Sequence, residues 1–104
     1  MYNIGDEIVV NHNGNFCLAT INKVVFADEN TEYDVKVCGI GIKHLYMHYE
    51  VSPPLGSIVR YRSGSNVYVG VFYAFEPSCR YPCKVYTGGS TASLVPLDMK
   101  FMRY

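Results

Sequence analysis

The sequence contains no tryptophan, and charged residues make up only 17% of it. Its formal net charge is zero, which argues against a strong overall attraction to nucleic acid. No apolar run approaches the ~20 residues that a membrane-spanning helix needs, so we expect no membrane partner. The N-terminal segment "MYNIGDEIVV" lacks a basic stretch followed by an apolar one. We therefore expect no signal peptide and a cytoplasmic protein.

The motifs of catalysis are also absent. The sequence has no glycine-rich phosphate loop, no nucleophile elbow and no HExxH zinc motif. Its three histidines and nine carboxylates form no recognisable acid–base pair. We therefore expect a protein without enzymatic activity and without a cofactor.

The sequence does contain the pattern that is typical of β-strands. Short runs rich in Val, Ile, Tyr and Phe alternate with clusters of Gly, Asn, Asp, Ser and Pro, and no window shows a helical stripe. The segments "HNGN" and "SGSN" are predicted to be hairpin turns, "ADENTE" an acidic loop, and "SPPLG" (52–56) a linker stiffened by two prolines. Strands are predicted at 7–12, 16–26, 33–38, 40–43, 46–51, 57–62, 66–75, 81–87, 93–96 and 100–104.

The two halves of the sequence resemble each other, with gaps in the turns and a larger gap around 87–93. Several weak matches in one order predict an internal duplication, with units at 1–51 and 57–104 joined by the linker. The matched segments are "IGDEIVV" with "LGSIVR", "FCLATI" with "VYVGVF", "YDVKV" with "YPCKV", and "YMHY" (46–49) with "FMRY" (101–104).

Each unit resembles an SH3-like small barrel, and "GDEIVV…FCLATI…YDVKV…HLYMHY" is similar to the Tudor and KOW branch of that group. A glycine opens the first strand, the second carries an aromatic and then a small residue, and the third reads Tyr-x-Val-x-Val. Only a small residue fits where a bent sheet brings backbones close, as Ala19 and Gly70 would do. The resemblance implies an all-β fold of two tandem SH3-like five-stranded barrels. The alternative is one continuous β-sandwich or barrel.

The two branches imply different ligands. The Tudor branch implies an aromatic cage that binds methylated lysine or arginine by cation–π attraction. The KOW branch implies contacts with RNA, DNA or the transcription and translation machinery. The candidates for a cage are Phe16 and Tyr33 in the first unit, and Tyr61, Tyr68 and Tyr81 in the second.

Charge is divided unevenly between the two halves. Residues 1–50 carry three lysines against seven carboxylates, a net charge of −4, and residues 51–104 carry six bases against two carboxylates, a net charge of +4. Arg60 and Arg62 alternate with Tyr61 and so should share one face of a strand. The predicted binding residues are Arg60, Arg62, Tyr68, Arg80, Lys84, Tyr86 and Arg103. The alternatives are a solvated face, a face paired with the acidic loop, and a head-to-tail dimer.

The four cysteines are expected to be free thiols in a reducing compartment. Cys79 and Cys83, with Cys17, Cys38, His44 and His48, form a candidate zinc set. Zinc knuckles prefer two-residue spacers, however, and Cys83 aligns with a valine of the first unit. We therefore expect no metal site.

Three functional hypotheses follow. The first is a non-catalytic adaptor or inhibitor that docks onto a protein partner, in the style of bacteriophage accessory proteins that block a host factor. The second is a nucleic-acid-associated module that uses the basic second unit. The third is a small-ligand sponge, with its pocket at the cleft between the units or between two chains.

Overall fold

The computed structural model describes residues 2–27, 30–46 and 51–101, and the fold is all-β. In these ranges no helix is long and apolar enough to cross a membrane. A single 3₁₀ turn, Pro96–Asp98, precedes the last strand. The strands are β1 (Glu7–His12), β2 (Asn15–Ala27), β3 (Asn30–Val37), β4 (Gly41–Tyr46), β5 (Ile58–Ser63), β6 (Asn66–Phe75), β7 (Cys83–Thr87), β8 (Ser90–Leu94) and β9 (Lys100–Phe101).

The strands form two antiparallel sheets, with the orders β1-β2-β3-β4 and β8-β7-β6-β5-β9. In the second sheet the last strand, β9, returns to the free edge of β5, where Phe101 pairs with Val59. The first sheet has a shorter counterpart of this β5–β9 pairing. There Val51 forms a single antiparallel bridge with Val10 of β1. Neither sheet closes on itself within the described residues. The described residues do not include 47–50 of the predicted strand 46–51, or 102–104 of the predicted strand 100–104.

The two sheets begin in the same way. The N–H of Gly5 donates to the carbonyl of Ile21 at 2.8 Å, and the N–H of Gly56 donates to the carbonyl of Phe72 at 2.6 Å. Both glycines have a positive φ, +94° and +90°, which a side chain would strain. The bulge of β2 follows Ile21 and that of β6 follows Phe72, so the two long second strands also bend at matching positions.

The predicted turns are partly correct. The hairpins at "HNGN" and "SGSN" are confirmed, since His12 pairs with Asn15 and Ser63 pairs with Asn66. The predicted acidic loop 27–32 is wrong in its bounds, because Ala27 pairs with Asn30 and residues 30–32 already belong to β3. The segment 87–93, where the two halves of the sequence do not align, contains another hairpin. Two glycines with positive φ connect β7 directly to β8 there.

Strand β1 is buried on both faces. Ile8 and Val10 belong to the core of the first sheet, whereas Val9, with 0% exposure, belongs to the core of the second. Phe16 and Leu18 of β2 point the same way as Val9 and pack against that second core. The outer side of the β1–β2 hairpin therefore covers the inner side of the second sheet.

The segment predicted to be a linker is a buried joint. Pro53 and Pro54 are buried, and Ser52 has 0% exposure. The segment is hydrogen-bonded along β1, where the N–H of Leu55 donates to the carbonyl of Glu7 at 2.7 Å. These contacts hold the two sheets against each other.

Candidate binding surface

Strand β5 alternates between the core and the surface as predicted. Tyr61 is 8% exposed, and its hydroxyl donates to Thr87 Oγ1 at 3.2 Å. Arg60 and Arg62 are exposed on the opposite face. Directly opposite them on β6 stand Val69 and Val67, whose side chains share that outer face.

The outer face of the second sheet carries an unusual number of exposed apolar side chains, which we call the apolar face. Their exposed fractions run from 40% to 58%. One row crosses three strands, because Ile58 pairs with Val71 and Val71 pairs with Tyr86. An antiparallel sheet that faces water normally shows polar residues there. The apolar face comprises Ile58, Val67, Val69, Val71, Tyr73 and Tyr86.

Cations border the apolar face on one side. Lys100 of β9 pairs with Arg60 of β5, so two positive side chains stand directly opposite each other, with Arg62 two residues further along. All three are exposed, and none forms an ion pair with another described residue. We call Arg60, Arg62 and Lys100 the cationic edge.

The other predicted binding residues are dispersed. Lys84 lies on β7, beyond β6, and its Nζ donates to Ser93 Oγ at 2.8 Å. Arg80 lies in the loop before β7, with its guanidinium 5.9 Å from the ring centre of Tyr81. Tyr86 belongs to the apolar face. Of the remaining two, Tyr68 points to the inner side of the sheet, and Arg103 lies outside the described residues.

The aromatic candidates do not form a cage. In the first unit Tyr33 is 4% exposed in the core, and Phe16 packs against the second sheet. In the second unit Tyr61 and Tyr68 stack on each other, with ring centres 5.6 Å apart and planes 24° apart. Tyr81 lies in the loop before β7, away from both. These five rings therefore lie in separate places rather than around one open space.

Two cavities are lined by residues of the cationic edge. The one at the junction of the two units has a volume of about 410 Å³ and is lined by Tyr2, Val51, Pro53, Arg60, Met99, Lys100 and Phe101. The other, of about 240 Å³, is lined by Arg60, Tyr61, Arg62, Val67, Asp98 and Lys100. Arg60 and Lys100 line both.

An exposed charged cluster lies on the first sheet. His44 of β4 contacts two carboxylates of β3, Asp34 Oδ1 through Nδ1 at 2.6 Å and Glu32 Oε2 through Nε2 at 2.7 Å. Hydrogen bonding to Asp34, and then to Glu32, raises the pKa of His44 above its ordinary value. Because both carboxylates only accept, both ring nitrogens must carry a proton in this arrangement.

The cysteines are separate free thiols. Cys83 is fully buried, and burial raises the pKa of its thiol to about 12. Cys79 lies near Glu76, Cys17 is half-buried and Cys38 is exposed. No group of three or more potential metal ligands is found among the described residues. Met47 to Glu50, and with them His48, lie outside those residues.

Comparison of the chain with protein-family models and with curated protein sequences finds no match.

The apolar face escaped the sequence analysis for a simple reason. In "NVYVGVFYAF" large apolar residues occupy both sets of alternate positions, so the pattern does not say which set is buried. The sequence nevertheless indicates the buried set. Gly70 is the small residue expected on the inner side of the bent sheet, and Phe72 alternates with it on the same side. That parity places Val67, Val69 and Val71 outside.

Proposed function

We propose that this chain is a non-catalytic binding protein that docks onto a protein partner through the apolar face. The observation that carries the proposal is the group of six large apolar side chains, 40% to 58% exposed, on one side of the second sheet. Contiguous exposed apolar surface is costly in water and marks interaction sites in soluble proteins. A sheet face with a charged border also has the general plan of a protein interface, an apolar centre with a polar rim.

The chemistry of the face favours protein over nucleic acid. Ile58 and the three valines of β6 offer aliphatic surface, which complements apolar side chains of a partner. Single-stranded nucleic acid instead stacks its bases on exposed aromatic rings. Tyr73 and Tyr86 are the only exposed rings of this face, and Tyr73 is tied to Thr91 by a 3.3 Å hydroxyl contact.

We also propose that both units are SH3-like barrels of the Tudor and KOW type. Three features shared by the two units support this. Each unit has a meander of four strands and a later segment that returns to the edge of its first strand, and its second strand has a bulge at a matching position. A small barrel requires a strong bend in its strands, which such bulges supply.

The docking proposal is tested by comparing two variants. Val69→Asp places a charge in the middle of the apolar face, and Ile42→Asp does the same at a 63%-exposed strand position of the first sheet. The tagged wild type should retain one stoichiometric protein from its native lysate, the Ile42 variant should retain it too, and the Val69 variant should not. Circular dichroism checks that both variants fold. Equal retention by all three proteins would overturn the proposal.

The cationic edge supports a second candidate, a nucleic-acid-associated module. Its three cations form no ion pair within the described residues and are free to contact phosphates. Binding of a short duplex or single strand should then weaken steeply between about 50 and 200 mM salt, and Arg60→Gln/Arg62→Gln should flatten that slope. Anisotropy of a labelled oligonucleotide measures both.

A further inference from the structure

We propose that the junction cavity binds a small oxyanion, a carboxylate or phosphate group of a small molecule, held between Arg60 and Lys100. This cavity, of about 410 Å³, lies where the N-terminal segment, the buried joint and β9 meet. The site is distinct from the apolar face and does not depend on the docking proposal.

The first argument is the unbalanced charge at the cavity wall. Arg60 and Lys100 stand directly opposite each other on neighbouring antiparallel strands. Like charges in such a pair repel and destabilise the sheet. No carboxylate of the described residues lines the junction cavity, and neither cation forms an ion pair with a described residue. A bound oxyanion would turn this repulsion into two charge-assisted hydrogen bonds.

The second argument is the rigidity of the other lining residues. The hydroxyl of Tyr2 donates to the carbonyl of Ser52 at 2.9 Å, and its ring meets the ring of Phe101 edge-on, with centres 5.1 Å apart. Pro53 is fully buried, and Met99 is 5% exposed. These residues are fixed before any ligand arrives, so little conformational entropy is lost when a ligand contacts them.

The third argument is the size of the cavity and the nature of its lining. A volume of about 410 Å³ falls within the range of roughly 300 to 1,000 Å³ that is usual for small-molecule sites, which also favour the boundary between two units. A lining that combines two cations with the rings of Tyr2 and Phe101 suits a molecule with an anionic head and a short body. The neighbouring cavity is a poorer site for an anion, because Asp98 lines it.

The test is a nuclear magnetic resonance titration of the labelled, full-length protein. The probes are inorganic phosphate, the dicarboxylate glutarate and its neutral diamide, each added to about 10 mM, enough to occupy a site with a Kd of about 1 mM. Signals of Tyr2, Met99 and Phe101 should shift in a saturable way with phosphate or glutarate and stay unchanged with the diamide. The tighter of the two anions identifies the preferred head group.

Variants separate a specific site from general charge effects. Lys100→Gln and Arg60→Gln should each raise the Kd by about tenfold, because each removes one charge-assisted hydrogen bond. Lys43→Gln, an exposed strand position of the first sheet, should leave it unchanged. The two-dimensional spectrum of each variant reports its fold. Shifts that do not saturate, equal shifts with the diamide, or equal weakening by Lys43→Gln would overturn the proposal.

Discussion

Ser52 and Val9 form a reciprocal hydrogen-bonded pair across the joint between the two sheets. The N–H of Ser52 donates to the carbonyl of Val9 at 2.9 Å, and the N–H of Val9 donates to Ser52 Oγ at 2.8 Å. The same hydroxyl donates to the carbonyl of Pro53 at 2.7 Å. Both residues are fully buried, so this side chain substitutes for a missing backbone partner at the edge of β1.

Replacing Ser52 by alanine should therefore destabilise the protein. The buried N–H of Val9 would lose its acceptor, which costs about 1 to 3 kcal/mol of unfolding free energy. Urea denaturation followed by circular dichroism measures the change. Ser65→Ala, at an exposed turn position, serves as the control and should change stability by less than about 0.5 kcal/mol. Similar effects of the two substitutions would show that the joint does not hold the sheets together.

Gly70→Ala should also be destabilising, although alanine favours strands more than glycine does. A Cβ atom at this position would overlap Thr87 Oγ1 and the carbonyl oxygen of Tyr86. Such overpacking typically costs about 1 to 3 kcal/mol. The matched change in the first sheet, Ala19→Gly, creates no overlap and should cost about 1 to 2 kcal/mol, from backbone entropy and the loss of one buried methyl group. Thermal unfolding of both variants tests this, and a Gly70→Ala protein as stable as the wild type would contradict the overlap.

The cluster around His44 predicts a dependence of stability on pH. Its pKa is raised in the folded state, so the stabilisation is fully present below the unfolded value of about 6.5 and is lost as the pH rises through the folded pKa. The ring signals of His44 in an NMR titration should give that pKa directly. Asp34→Asn should lower it, and Glu32→Gln should lower it less. An unchanged pKa in both variants would show that the carboxylates do not contact the ring in solution.

The cysteines should differ in reactivity toward an alkylating reagent. Cys83 is fully buried with a pKa raised to about 12, so almost none of it is thiolate at neutral pH. Cys38 is exposed and should be modified first. Mass spectrometry of the protein after brief iodoacetamide treatment distinguishes the two sites. Early modification of Cys83 without unfolding would contradict its placement in the core.

The β architecture and most strand positions could be predicted from the sequence, because alternating apolar residues and glycine turns are local signals. The relation between the two units was harder. "YDVKV" was matched to "YPCKV", which places Val37 opposite Val85. In the structure Val85 pairs with Phe72, as Val35 pairs with Ile21, so by strand pairing Val85 corresponds to Val35, two residues before Val37. Since a shift by two keeps every side chain on its own face, hydrophobic pattern alone does not detect it.

The match between "YMHY" and "FMRY" fails for a related reason. Tyr46 ends the fourth strand of the first sheet, where it pairs with Glu32. Phe101 instead lies in the strand that returns to the edge of β5. In the second unit a 3₁₀ turn that begins at Pro96 precedes that strand, whereas residues 47–50 of the first unit lie outside the described residues. An alignment by residue type contains no information on where the chain leaves a sheet and where it returns.

The predicted binding residues are five bases and two tyrosines, and they include only part of the proposed surface. Arg60 and Arg62 stand together as expected because residues two apart on a strand share a face. Lys100 joins them through long-range strand pairing, which single-sequence patterns do not report. The aliphatic centre of the surface depends on which side of β6 is covered, and the outer side of the β1–β2 hairpin decides that.

Carbene footprinting of the protein, alone and bound to its captured partner, tests the docking surface most directly. Carbenes label exposed aliphatic side chains, so mass spectrometry then reports which ones the partner covers. We predict strong loss of labelling at Val67, Val69 and Val71 and at Tyr86, with Ile42 of the first sheet labelled equally in both states. Unchanged labelling of the β6 valines, or protection confined to the first sheet, would contradict docking through the apolar face.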